Sequence, residues 1–117
     1  MDYAARDLRA ARSLLGGAWS FHIAVYLAQQ AAEKAVKAAL VAGGQTPPKV
    51  HDIGLLVARL GGRVAGLPSA VDVDRLTGYA VSSRYPDDLP DVNEAEAEEA
   101  VETAEAVLAA VRAHLGA

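Results

Sequence analysis

"AQQAAEKAVKAAL", residues 28–40, decides the fold. It holds no Gly, no Pro and a single β-branched residue, and its alanines fall at 28, 31, 32, 35, 38 and 39, the three-and-four spacing of one helical face. Carried outward, the same pattern predicts a helix from about Trp19 to Ala42. Gly43-Gly44 stop it and Pro47-Pro48 keep it from resuming. At 1.5 Å per residue such a helix is roughly 36 Å long. One wide side carries Phe21, Ala24, Ala28, Ala31, Ala32, Ala35, Ala38 and Ala39, and alanine lets a neighbouring helix come close. His22, Tyr26, Gln29, Gln30, Glu33, Lys34 and Lys37 gather on the other side.

Four further helices are expected around this one. The first runs from about Tyr3 to Leu15, capped by Asp2, with Ala4, Leu8, Ala11 and Leu15 on one face and Arg6, Arg9 and Arg12 on the other. A short third helix, capped by Asp52, takes in Leu55, Leu56 and Leu60 and stops at Gly61-Gly62. Ser69-x-x-Asp72 opens a fourth through Val73, Leu76 and Ala80, which meets Arg84, Tyr85 and Pro86 in "SSRYPDD", residues 82–88. Asn93-x-x-Glu96 opens the last, whose Ala97, Val101, Ala104, Leu108, Val111 and Leu115 form an apolar seam. The expected architecture is all-α, an antiparallel up-and-down bundle of four main helices and one short one, in a single domain spanning residues 1–117.

Composition excludes several functions. There is no Cys, and three scattered His argue against a zinc or di-iron centre, so neither a metal nor another cofactor is expected. The N-terminus has no continuous apolar core and no run approaches a membrane span, which points to a soluble, cytoplasmic protein without membrane contact. The net charge of −4 conceals a split: residues 1–86 hold ten Lys or Arg against six acids, residues 87–117 one Arg against nine acids. Such a chain can offer an anion one basic face. Six aromatics dispersed along the chain do not suit direct reading of bases, so sequence-specific DNA binding is not expected.

The polar side of the long helix has two interpretations. His22, Tyr26, Gln30, Glu33 and Lys37 step by three and four, as a solvated surface held by a Glu33–Lys37 pair would. Alternatively they line a groove closed by another helix or a second subunit, where Lys and His face a phosphate. At the end of the fourth helix, Arg84 continues the direction of Leu76 and Ala80, and Pro86 turns Tyr85 out of helical geometry. Arg84 is then either a dipole-matched helix terminator paired to Asp87 or Asp88, or, with Tyr85, the polar end of that groove. His51, just before the cap Asp52, packs or hydrogen-bonds at a helix start, or joins the same site.

"AQQAAEKAVKAAL", then "HDIGLL" at residues 51–56, then "RYPD" at 84–87, followed by an acidic Ala-rich helix, resemble in content and order the HEPN family, the higher-eukaryote and prokaryote nucleotide-binding domains. The resemblance spans nearly the whole chain. It implies a helical bundle, usually a homodimer, often encoded beside a minimal nucleotidyltransferase with which it forms a toxin–antitoxin pair. RNA-cleaving members carry an Arg followed four to six residues later by a His, whereas here Arg84 is followed by Tyr-Pro-Asp-Asp-Leu-Pro-Asp, and His114 comes two residues after Arg112. The expected function is therefore a non-catalytic binding module, with Arg84, Tyr85, His51, Lys37, Lys34, Tyr26 and His22 as candidates for holding a nucleotide or RNA phosphate and no residue assigned to catalysis. The alternatives are an RNA-cleaving toxin using a displaced His, His22 or His51, and a purely structural module. A homodimer is also expected from the apolar seam and the alanine side, more apolar surface than short helices need.

Overall fold

The computed structural model describes residues 1–16, 21–82 and 92–116. Its helices are α1 (Asp2–Ser13), α2 (Phe21–Ala42), α3 (Ile53–Leu60), α4 (Ala70–Ser82) and α5 (Glu94–Leu115), with one 3₁₀ turn at Leu14–Gly16. No strand occurs among the described residues. The chain is an all-α bundle built on α2, against which α1 and α5 pack most extensively and α3 and α4 more locally.

The alanine face explains that arrangement. Ala24, Ala28, Ala31, Ala32, Ala35 and Ala39 are all sealed, and across from α2 the α5 residues Ala97, Val101, Ala104, Leu108 and Val111 are equally buried. Small side chains on α2 let the larger Val and Leu of α5 fill the gap between two close backbones. The seam on α5 is thus covered within the chain. This removes the apolar excess from which a dimer was expected, since both surfaces in that expectation are spent on each other.

Local signals set most of the ends. The Asp52 carboxylate accepts from Leu55 N–H at 3.1 Å, and Gly61, at φ 60°, closes α3 in the left-handed conformation. Asn93 and Glu96 form a reciprocal capping box at the start of α5. Ser69 Oγ accepts from Asp72 N–H at 3.2 Å and starts α4. Leu56, Leu60, Val73 and Leu76 are buried as expected, while Leu55 is exposed. Two boundaries differ from expectation. The helix α1 begins at Asp2 itself, with Met1 as N-cap and no side-chain cap bond, because Ala5 N–H is already taken by the Met1 carbonyl at 2.9 Å. It also leaves α-helical geometry at Leu14, before Leu15, by tightening into the 3₁₀ turn.

Ion pairs tie the outer helices to their neighbours. Lys34 of α2 meets Asp7 of α1 at 2.5 Å, Arg12 pairs with Glu105, and Arg75 pairs with Glu99. No helix among the described residues is long and apolar enough to cross a membrane.

Candidate functional site

The polar side of α2 is not uniformly solvated. Gln29 and Glu33, expected on a surface, are buried, because α3 and α4 pack along that edge of the helix. Burial of polar groups requires partners. Gln29 Nε2–H donates to the Leu76 carbonyl of α4 at 2.6 Å. Nearby, Thr77 Oγ1 accepts from Ile53 N–H at 3.2 Å, fixing the start of α3 against α4.

Glu33 is the centre of the site. Its side chain is 7% exposed, and the single oxygen Oε1 lies 2.7 Å from His51 Nδ1 and 3.6 Å from Lys37 Nζ. The loop after α2 returns His51 to this point: Gly44, at φ 81°, reverses the chain past the helix end, and Asp52 then starts α3. A carboxylate only accepts, so Nδ1 carries the proton in this contact. The imidazole is therefore held by one nitrogen while 82% of its side-chain surface faces solvent. The nitrogen left for a ligand is Nε2, with its lone pair toward a hydroxyl or, in the doubly protonated ring, its N–H toward a phosphate.

The other expected residues are distributed unevenly. Lys37 and His51 meet at Glu33, but Lys34 is turned to Asp7 and serves the α1–α2 contact. Tyr26 is exposed on α2, seven residues before Glu33, about 10 Å along the axis. His22 lies eleven residues before Glu33, roughly 16 Å away along the helix, so the two histidines do not form one site. The His22 Nδ1 atom is buried without a hydrogen-bond partner in the structure. Arg84 and Tyr85 lie outside the described residues, as does Trp19. Glu33 was expected on the polar side of α2, paired to Lys37 or lining a groove, but not among the residues that hold a ligand. The signal for it was its spacing of four before Lys37, but only the return of the loop could show that the same oxygen also meets His51.

No group of three or more His, Asp or Glu among the described residues is arranged to hold a metal ion. The site offers instead a buried carboxylate, an ammonium and an oriented imidazole: one acceptor, one cation and one group that can do either. That set suits a ligand with hydroxyls and negative oxygens. The all-helical bundle and this cluster define a helical domain with a small polar site at the edge of its longest helix. The family model for the HEPN domain matches residues 1–114, and the chain belongs to that family. No curated protein and no solved structure matches the chain significantly.

Proposed function

We propose that this HEPN domain binds a ribonucleotide or the phosphate–ribose backbone of RNA through Lys37 and His51, with Arg84 supplying the guanidinium that grips phosphate. The observation that carries this reading is the buried Glu33 carboxylate, which holds Lys37 and an exposed His51 on one oxygen. Burying the carboxylate costs desolvation that a fully exposed ion pair avoids, and in return it fixes the direction of the imidazole. In this reading the chain works by binding. It associates with a second copy and with a separate minimal nucleotidyltransferase, as its family membership suggests, in a toxin–antitoxin type of pair. Ile23, Tyr26 and Val41, exposed along the outer side of α2, are the surface proposed to meet the second copy.

Isothermal titration with uridine monophosphate tests the binding reading. Saturable binding that weakens tenfold or more in Lys37→Ala and Arg84→Ala supports it, and unchanged affinity in both variants would remove these residues from any site.

One observation favours a second reading. A histidine oriented by a buried carboxylate through Nδ1, with no partner at Nε2 among the described residues, is the arrangement of a general base. Here His51 would take the proton of a ribose 2′-hydroxyl, whose oxygen attacks the adjacent phosphorus and expels the 5′-oxygen. The departing 5′-oxygen takes a proton from water or the imidazolium, and a 2′,3′-cyclic phosphate remains, with no metal required. Cleavage of labelled RNA in the presence of a chelator, lost in His51→Ala, would establish it over simple binding.

A further inference from the structure

The helix α1 carries a charged face that the Glu33 site does not use. Tyr3, Arg6 and Arg9 follow one another at spacings of three and lie on one side of the helix. All three are exposed, Tyr3 at 68%. The Arg6 guanidinium stands 5.9 Å from the Tyr3 ring centroid and covers one face of the ring. Arg12 has an acidic partner in Glu105, but neither Arg6 nor Arg9 forms an ion pair within 4 Å among the described residues. Of the acids on α1, Asp7 is engaged by Lys34, and Asp2 sits in the first turn, where the helix dipole favours it.

These groups are what a single-stranded nucleic acid requires. Successive bases stack on aromatic rings, and a guanidinium behind the ring strengthens the platform. Arg6 and Arg9 are about 4.5 Å apart along the axis, so their long side chains can reach neighbouring phosphates of one strand. Their level along the bundle relative to the Glu33 site follows from helix register, and across the bundle the two are separated by the exposed side of α2, which a strand of several nucleotides would span. The short connection from Ser13 to Phe21 makes α1 and α2 antiparallel, and Asp7 marks the level of Lys34. One turn back along α1, from Asp7 to Tyr3, is therefore one turn forward along α2, toward Lys37. Of the α5 acids, Glu105 meets α1 at Arg12, nine residues beyond Tyr3.

We infer that Tyr3, Arg6 and Arg9 form a track for the nucleotides flanking the one held at Lys37 and His51, so that the ligand is a single-stranded RNA and not a free nucleotide. One base stacks on Tyr3 and two phosphates lie on Arg6 and Arg9. The inference rests on the ribonucleotide-binding reading and adds a contact surface to it.

The test is fluorescence anisotropy over a salt series with a labelled oligouridylate of about twelve nucleotides, run beside calorimetry with uridine monophosphate. The oligomer is expected to bind at least tenfold tighter than the mononucleotide. The double variant Arg6→Gln/Arg9→Gln should weaken the oligomer tenfold or more and flatten the slope of log affinity against log salt by about 1.4, two phosphates at roughly 0.7 each. It should leave the mononucleotide unaffected. Tyr3→Leu should weaken the oligomer by about tenfold at an unchanged slope, and Arg6→Lys/Arg9→Lys should keep the slope. An oligomer that binds no tighter than the mononucleotide, or a double variant with wild-type affinity and slope, overturns the track while leaving the Glu33 site standing. If neither probe binds, the site reading fails and the track with it.

Discussion

Gln29 Nε2 donates to the backbone carbonyl of Leu76 at 2.6 Å, although the two residues lie 47 apart in sequence. This bond joins the middle of α2 to the middle of α4 inside a buried layer. Replacing Gln29 by Leu, similar in size but without the amide, removes the donor and leaves the Leu76 carbonyl with its helical bond alone. The expected loss of stability is about 1–3 kcal/mol, read as a lowered urea midpoint with an unchanged m-value.

The packing of α5 on α2 makes a separate prediction. Leu108 is 1% exposed and lies in the seam against the alanine face. Truncation to Ala should cost about 2–5 kcal/mol, and Val101→Asp, which buries an unpaired charge, should abolish the cooperative transition. If the seam instead formed a contact between two chains, Leu108→Ala would change the mass seen by light scattering before it changed the melting of the chain.

Gly78 offers a stabilising change. It lies inside α4, and a Cβ placed there would meet nothing within 4 Å among the described residues. Gly78→Ala should therefore raise stability by about 0.5–1 kcal/mol through the lower entropy of the unfolded chain. At Gly54 of α3 the same substitution meets Asp74 Oδ1 at 2.6 Å. That oxygen ends an exposed side chain able to rotate away, but the Cβ would also stand 3.3 Å from the Asp52 oxygen that caps α3, so Gly54→Ala should give no gain, and the two variants can be compared by thermal melting.

The proposed second copy is tested by charge. Ile23 and Val41 are exposed on α2 and do not contribute to the core. Light scattering is expected to give twice the 12.1 kDa of one chain. Ile23→Glu should return it to the monomer mass without lowering the melting temperature. A wild-type mass of one chain across a concentration series would dismiss the dimer.

Much of the fold was legible because its signals are local. The glycines at 43, 44, 61 and 62, the caps Asp52 and Asn93, and the alanine spacing of α2 each act within a turn or two of their own position. Asp2 misled because a carboxylate beside the first turn resembles a cap whether or not its neighbour's carbonyl has begun the helix. The fate of Gln29 and Glu33 was not legible. A helical wheel shows that they share a side with Tyr26, but α3 and α4 cover one edge of that side only, and coverage depends on where the loop through Pro47-Pro48 returns. For the same reason Lys34 and Lys37, three residues apart, diverge, one to α1 and one to the Glu33 site.

The most direct test of the Glu33-centred site compares uridine monophosphate affinity in the wild type, His51→Ala and Glu33→Gln by calorimetry. Glu33→Gln keeps a hydrogen-bonding oxygen near His51 but removes the carboxylate charge that holds Lys37 and fixes the imidazole. The account predicts saturable binding by the wild type, a loss of tenfold or more in His51→Ala, equivalent to about 1.4 kcal/mol, and a smaller loss in Glu33→Gln, with both variants folded by circular dichroism. Equal affinities for all three proteins would contradict it and leave the Glu33–His51 contact as a purely structural clasp between α2 and the start of α3.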